Sequence, residues 1–421
     1  MKKFFINYNL AMLKIYLCGP TVYNSPHIGN MRAIITYDIV LKAYRALGKE
    51  FSFIHNITDV DDKIINRAIT ENKTEKEISE IYTEEYFKLL DAFDINTITH
   101  IEKVTENMEL ITSYISTLVE SENAYLDKDG NVWFNVLNNQ KAYGMVSNQI
   151  LENMQFEEQS SEKKFSADFA LWKKTTVGIK FNSPFGSGRP GWHTECCALI
   201  NKHFGPYGVD LHGGGMDLTF PHHENENIQH YALYQQPLAK EWLRCGQINL
   251  NGEKMSKSLG NIIAAKDFLS KFGPSILKLI FTNAKLTANI NITDELIDNM
   301  VKLEIKYQKL IFKFLTHFKQ DELINNESEQ VMKMLESISN TDFSNFNFIL
   351  NEEIKLFNKT RSLYNAKNIF TIINIIYPEL TRISRYAEGL KLFDEWNSFI
   401  AKKDYENADK IRARLIESNF Y

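Results

Sequence analysis

The chain has 421 residues, of which 44% are hydrophobic and 24% charged, and it carries a formal net charge of −5. That length exceeds one ordinary core, so two to four domains are expected, and the composition excludes a disordered or collagen-like chain. The slightly acidic balance leaves any nucleic-acid partner to be held by local basic patches.

At the start, MKKFFINYNLAMLKIYLCG sets Lys2 and Lys3 ahead of apolar residues, as a short signal peptide would. Asn7 and Asn9 interrupt that run and Lys14 breaks its continuation, so it is not read as one. No later apolar run approaches the length of a membrane span, and no membrane partner is expected. The four cysteines, Cys18, Cys196, Cys197 and Cys245, are too few for a disulfide framework. A reducing, cytoplasmic setting with metal or reactive roles suits them better.

Leu13, Ile15 and Leu17 alternate with Lys14 and Tyr16 up to Cys18-Gly19-Pro20, which predicts a strand ending in a tight turn. Apolar residues then recur at helical spacing from Asn30 to Leu47, and Gly48 closes the helix. Phe51 to Ile57 reads as a second strand. A strand, helix and strand in so few residues imply a right-handed parallel unit, whose ligands lie beyond the carboxyl ends of the strands. Cys18, His27 and Thr58 fall there, as does the acidic cluster Asp59, Asp61 and Asp62. His27-Ile28-Gly29-Asn30 occupies the turn into the helix, where the positive helix end favours anions and Gly29 allows close approach.

Helical patterns follow over Lys76 to Phe93 and Ile101 to Val119, and Tyr125 to Val136 reads as a hairpin around Asp129-Gly130. This stretch is taken as an insertion splitting one nucleotide-binding sheet, with a charged surface loop from Glu157 to Lys164. FGSGRPGWHTEC, Phe185 to Cys196, is loop-like to Gly191 and then apolar, and Cys197 is expected to be a buried structural residue. HGGGMDLTFPHHENE runs from His212 to Glu226. Its glycines, Gly213 to Gly215, suit close backbone approach. Asp217 follows, and Pro221 opens a helix on which His222 and Glu226 share one face. Cys18, Cys196, His222 and Glu226 together offer two thiolates, an imidazole and a carboxylate, a set soft enough to select zinc. Further on, Lys254 and Lys257 flank Met255 and Ser256 in the Gly-bounded GEKMSKSLGN loop. Two ammonium groups there can neutralise the phosphates of ATP as pyrophosphate leaves.

HIGN with KMSKS resembles the paired signature of the class I aminoacyl-tRNA synthetases. CGPTVYNSPHIGN, NITDVDDKII, DFALWK, GRPGWHTEC, GGGMDL and FPHHENE, in that order from about Ile15 to Asn261, resemble the cysteinyl-tRNA synthetases. The resemblance implies an α/β fold: a Rossmann-type parallel-sheet catalytic domain split by a connective insertion, followed by an α-helical bundle domain. The divisions expected are residues 1–75 and 191–265 for the two catalytic halves, 76–190 for the insertion, 266–300 for a stem-contact linker and 301–421 for an anticodon-binding region. It also implies one Zn²⁺ per chain on Cys18, Cys196, His222 and Glu226, and Mg²⁺ with ATP. His27, Asn30, Lys254 and Lys257 would handle the phosphates. ATP would be bound by His27, Gly29, Asn30, Gly214, Asp217 and Lys257. The amino-acid pocket would be lined by Gly19, Thr58, Trp192 and Asp217.

The implied partners are ATP, L-cysteine and tRNA(Cys), with the enzyme expected to be a monomer. Most members carry His in place of Asn30; asparagine donates a hydrogen bond but cannot become charged, so activation should depend less on pH. Cysteine differs from serine only in sulfur for oxygen. A metal that deprotonates a thiol outright could tell them apart, which would leave no need for an editing site.

In the last third, Asp294 to Leu315, Phe343 to Tyr364 and Ile369 to Phe393 read as long helices, hence a bundle. From residue 300 onward 18 Lys/Arg face 17 Asp/Glu, so bulk charge there does not point to RNA. The basic cluster Lys402, Lys403, Lys410, Arg412 and Arg414 is balanced by Asp404, Glu406 and Asp409. The chain stops at Tyr421, where the family commonly adds a small β-containing segment. Competing readings are a cysteine ligase acting on an amino sugar, as mycothiol ligases do, a zinc hydrolase built on His222 and Glu226, and a nucleotide-binding module without catalysis. The long helical tail disfavours the first, the lack of an HExxH motif the second.

Overall fold

A computed structural model describes residues 12–153, 162–255, 260–324 and 328–421. The chain opens with β1 (Leu13–Leu17), α1 (Ile28–Ala46) and β2 (Phe51–Ile57), the unit read from the sequence. Leu13, Ile15 and Leu17 face one side of the sheet and Tyr16 the other, and every one of them is buried. Strands covered on both faces belong to a parallel sheet. The helices α2 (Asp62–Glu71) and α3 (Glu75–Ala92) follow, with Asp61 capping α2 through Lys63 N.

Next comes β3 (His100–Lys103), which pairs parallel with β2 at the sheet edge. This corrects the helical reading of Ile101 to Val119, because helix α4 begins only at Met108 (Met108–Glu120). Four residues on an exposed edge are too short to show a strand's alternation. The range 76–190 read as an insertion thus contains one strand of the central sheet. β4 (Ala124–Leu126) and β5 (Val132–Phe134) form the expected hairpin. They continue antiparallel into β6 (Phe169–Lys174) and β7 (Gly188–Pro190), a strand inside the stretch taken as loop. Most of the charged tract from Glu157 to Lys164 lies outside the described residues.

Helix α5 (Thr194–Phe204) leads into β8 (Val209–Gly215), α6 (Glu224–Tyr234) and β9 (Ala239–Cys245). The central sheet is then complete, in the order β3-β2-β1-β8-β9, all parallel. β1 lies at its middle, and the carboxyl ends of β1, β2 and β8 open onto a common cleft. Polar contacts tie the insertion to the rest of the catalytic unit. Arg189 of β7 pairs with Asp62 at the start of α2. The buried Glu224 carboxylate accepts the backbone N–H groups of Gly144, Val146 and Ser147 at 2.8, 3.1 and 2.7 Å.

Beyond the sheet, β10 (Ile248–Leu250) and β11 (Glu253–Lys254) form the hairpin that enters the GEKMSKSLGN loop. The helices α7 (Ala265–Phe272) and α8 (Ser275–Thr282) precede β12 (Ile290–Ile292), which pairs parallel with β10. The remainder is helical: α9 (Asp294–His317), α10 (Glu329–Ser339), α11 (Phe343–Thr360), α12 (Leu363–Ile376), α13 (Ala387–Ala401) and α14 (Tyr405–Glu417). The single helix read from Ile369 to Phe393 is broken after Ile376. Pro378 lacks the N–H a helix needs and its ring clashes with the preceding turn, so the chain passes through two short 3₁₀ turns. One hydrophobic core runs without interruption from β1 and α1 to Phe420, because α1 packs against α8, α10 and α12 as well as the sheet.

Candidate active site and metal centre

The cleft at the strand ends has a volume of about 360 Å³ and is lined from both halves of the sheet. Its floor is made where β1 stops. Gly19 donates its N–H to Asn56 Oδ1 at 2.8 Å, and a side chain there would collide with the Asn56 carbonyl. Gly213 is equally constrained, since a Cβ would lie 2.0 Å from Tyr37 Oη. The close backbone approach expected of the glycine run is therefore between β8 and α1.

At one end of the cleft four side chains converge. Cys18 Sγ lies 4.0 Å from Cys196 Sγ, 3.5 Å from His222 Nε2 and 3.6 Å from Glu226 Oε1. Cys196 Sγ is 3.8 Å from His222 Nε2, and His222 Nε2 is 2.9 Å from Glu226 Oε1. A tetrahedral zinc with bonds of about 2.0–2.3 Å sets its ligand atoms roughly 3.3–3.8 Å apart. The four donors match that spacing closely enough to close on one ion. Cys18 comes from the end of β1, Cys196 from α5, and His222 and Glu226 from the turn at Pro221 and the start of α6.

Electrostatics point the same way. Burial pushes the Cys18 thiol up to about 12 and the Cys196 thiol well above its usual range. Burial works to lower His222, but the Glu226 carboxylate and the Cys196 sulfur together outweigh it and hold the imidazole at about 10. Glu226 would rise on burial, yet His222 and His212 keep it well below the usual carboxylate range. Two buried thiols, a fully buried carboxylate and an imidazole make a donor set that a divalent cation would neutralise and turn into ligands.

Around this set lie residues that sequence reasoning missed. His193 Nδ1 is 3.0 Å from His222 Nδ1, so with Nε2 turned to the thiols, His222 donates from Nδ1 and its ring is fixed. Burial drives His193 well below its ordinary value, which keeps it neutral as the acceptor. His212 Nε2 comes within 2.9 Å of Glu226 Oε2, off the hydrogen-bonding line, and stacks on Trp242. With His223, Cys18 and Glu226 it makes a second, overlapping group of close donor atoms. The density of histidine in HGGGMDLTFPHHENE was the available signal. Glu195 was missed too. It is buried in the cleft wall, takes the Thr58 hydroxyl hydrogen, and is raised by burial to about 8.

The expected amino-acid pocket residues, Gly19, Thr58, Trp192 and Asp217, all line this cleft. Trp192 stacks on His222 with ring centroids 4.3 Å apart, beside the metal set. At the other end lie His27, Gly29 and Asn30, and Gly214 and Lys254 also line the cleft. His27 Nδ1 accepts the Gly29 N–H at 3.1 Å, which leaves Nε2 as the hydrogen-bearing nitrogen of the neutral ring. Asn30 Oδ1 accepts the His27 N–H at 3.0 Å, closing a capping box on α1. The asparagine thus serves the helix with its oxygen and keeps its amide hydrogens. Lys257 lies outside the described residues.

Residues 5–302 match the family profile described as the class I (C) tRNA synthetase catalytic domain. A cysteine–tRNA ligase of Mesomycoplasma hyopneumoniae is 44% identical over 97% of each chain, and one of Mesoplasma florum is 36% identical over 97% of this chain and 96% of its own. The chain belongs to the cysteine–tRNA ligase family.

Two solved synthetases share its fold. A Mycobacterium tuberculosis methionyl-tRNA synthetase, at 13% identity, superposes with a TM-score of 0.62 over 89% of this chain and 90% of its own. An Agrobacterium radiobacter LeuRS, at 9% identity, gives 0.64 over 89% and 85%. No helix among the described residues is long and apolar enough to cross a membrane.

Proposed function

We propose that the chain activates L-cysteine with ATP and transfers the cysteinyl group to the 3′ end of tRNA(Cys). The observation that carries this reading is one cleft with the Cys18, Cys196, His222 and Glu226 donor set at one end and the HIGN turn at the other. In the first step the cysteine carboxylate attacks the α-phosphorus of ATP, and the bond to pyrophosphate breaks. In the second, a terminal ribose hydroxyl of the tRNA attacks the carbonyl carbon and AMP leaves.

His27 offers Nε2–H and Asn30 its amide hydrogens to phosphate oxygens at the positive end of α1. Lys254, with Lys257 beyond it, brings positive charge to the departing pyrophosphate, which Mg²⁺ would accompany. Gly29 and Gly214 leave room for the nucleotide, and Asp217 and Thr58 line the cleft that would take the amino acid. Trp192 stacks on His222 and covers that side of the metal set. One Zn²⁺ held by Cys18, Cys196, His222 and Glu226 would supply a Lewis-acidic centre that prefers a thiolate to a hydroxyl. The substrate would then be selected by its sulfur, without need of an editing site. Residues 76–190 would carry the acceptor end, 266–300 would meet the stem, and 301–421 would meet the anticodon region. The enzyme would work in the cytoplasm as a monomer.

Cysteine-dependent exchange of pyrophosphate into ATP, followed by charging of tRNA(Cys) and not of an amino sugar, tests the reading. Zinc-depleted protein should lose most of its preference for cysteine over serine. An unchanged ratio would sink the selector role while leaving the ligase reading in place.

A further inference from the structure

Arg32, the last residue of PHIGNMR, is 3% exposed and has no carboxylate partner among the described residues. Its guanidinium instead donates to four backbone carbonyls. Nη1 reaches Gly246 O at 2.6 Å and Gln247 O at 3.1 Å, and Nη2 reaches Lys285 O at 3.3 Å and Leu286 O at 3.0 Å. A buried cation satisfied only by carbonyls is an expensive way to fill a core, since an apolar side chain would fit at less desolvation cost. Gly246 and Gln247 join β9 to β10, the strand that enters the GEKMSKSLGN hairpin. Lys285 and Leu286 belong to the connection that runs into β12, the partner of β10. Gly246 N also donates to Leu286 O at 2.9 Å, so both connections meet at one guanidinium.

The other stem of the same loop is held by the same signature segment. Ile28 N donates to Ile263 O at 3.0 Å, and Ala265 N to Pro26 O at 2.8 Å. Met255, at the mouth of the loop, comes close to Gly29. Two turns of chain, from Pro26 to Arg32, therefore fix both ends of the lysine-bearing loop relative to His27 and Asn30.

We propose that Arg32 is a positioning residue for adenylate formation. By bridging the Gly246–Gln247 and Lys285–Leu286 connections it sets where Lys254 meets the phosphates that His27 and Asn30 hold. This rests on the phosphate-handling roles given above. Only the step in which pyrophosphate departs needs the loop at that place, whereas transfer from a finished adenylate to tRNA does not. A lysine cannot replace the planar fork, because one ammonium cannot span four carbonyls set on two connections.

The test compares the two half-reactions in Arg32→Lys and Arg32→Ala against the parent enzyme. A misplacement of about 1 Å can cost roughly 10²-fold in rate. The expected result is a loss of that order in kcat for cysteine-dependent ATP–pyrophosphate exchange. KM for cysteine and zinc content should stay within about twofold, as should single-turnover transfer from synthetic cysteinyl-adenylate to tRNA(Cys). Millimolar guanidinium should restore part of the exchange rate in Arg32→Ala, which it could not do for a misfolded chain. Equal loss in both half-reactions without rescue, or exchange at the parental rate, would overturn the proposal. Absence of exchange in the parent enzyme would instead overturn the ligase reading on which it stands.

Discussion

Both oxygens of the Glu226 carboxylate are committed, Oε1 toward His222 and Cys18 and Oε2 toward His212. Glu226→Gln removes the only formal charge from that set in the metal-free protein, apart from His222. Outer-shell partners alone are worth roughly 10–100-fold in metal affinity, so the loss here should be at least that large. Competition of the bound zinc against a chelator measures it, and zinc retention equal to that of the parent would contradict the assignment. A second residue-scale prediction concerns pH. His55 is buried, hydrogen bonds to Leu17 O at 2.9 Å and to Tyr86 Oη at 2.8 Å, and is lowered by burial to about 4. As pH falls below the ordinary value of about 6.5, the unfolded chain takes up a proton that the folded chain refuses. Stability therefore declines from about pH 6.5 down to about pH 4, by about 3 kcal/mol from this group. Urea unfolding of His55→Gln beside the parent should show a shallower fall across that window. The clustering of Cys18, Cys196, His222 and Glu226 was legible in the sequence because their residue types are rare and unlike their surroundings. His193, His212 and Glu195 were not, since a buried histidine or glutamate declares its role only through what it touches.

At the scale of elements, β1, α1 and β2 could be read nearly to the residue because alternation, helical spacing and a closing glycine all agreed. β3, β7 and the break at Pro378 could not, for different reasons. The two strands are three or four residues long and take their shape from a partner supplied by distant sequence. The break was signalled by the proline and masked by the apolar run around it. Tertiary pairing of this kind also governs how the insertion is held. Glu224 has three backbone N–H donors on the segment from Gly144 to Ser147, and Glu224→Gln would replace one acceptor oxygen by a donor facing them. An unsatisfied buried group costs roughly 1–3 kcal/mol, most of it local here. Hydrogen exchange at Val146 and Ser147 should speed up markedly in the variant, while the amides of β1 keep their protection. Uniform protection throughout would mean the clamp carries no such role.

Across the whole molecule, the junction between α8 and the helical tail is held by a buried ion pair, Lys278 Nζ to Glu379 Oε2 at 2.9 Å, beside the Thr282–Tyr377 hydrogen bond of 2.6 Å. Removing one partner of such a pair strands a charge in the core and typically costs about 3–5 kcal/mol. Lys278→Met should therefore lower the unfolding midpoint strongly, and the double variant Lys278→Met with Glu379→Leu should recover most of the loss. A double variant no better than the single one would show that the pair is not what fails. Helix α1 has a wider consequence. It carries the HIGN turn at its first residues and rests along its length on the sheet on one side and on α8, α10 and α12 on the other. A gene fragment ending near Asn261 would leave that second flank of α1 wet, and such a truncated product should precipitate rather than survive as a minimal ligase. For this chain the tail is half of the bearing on which α1 sits.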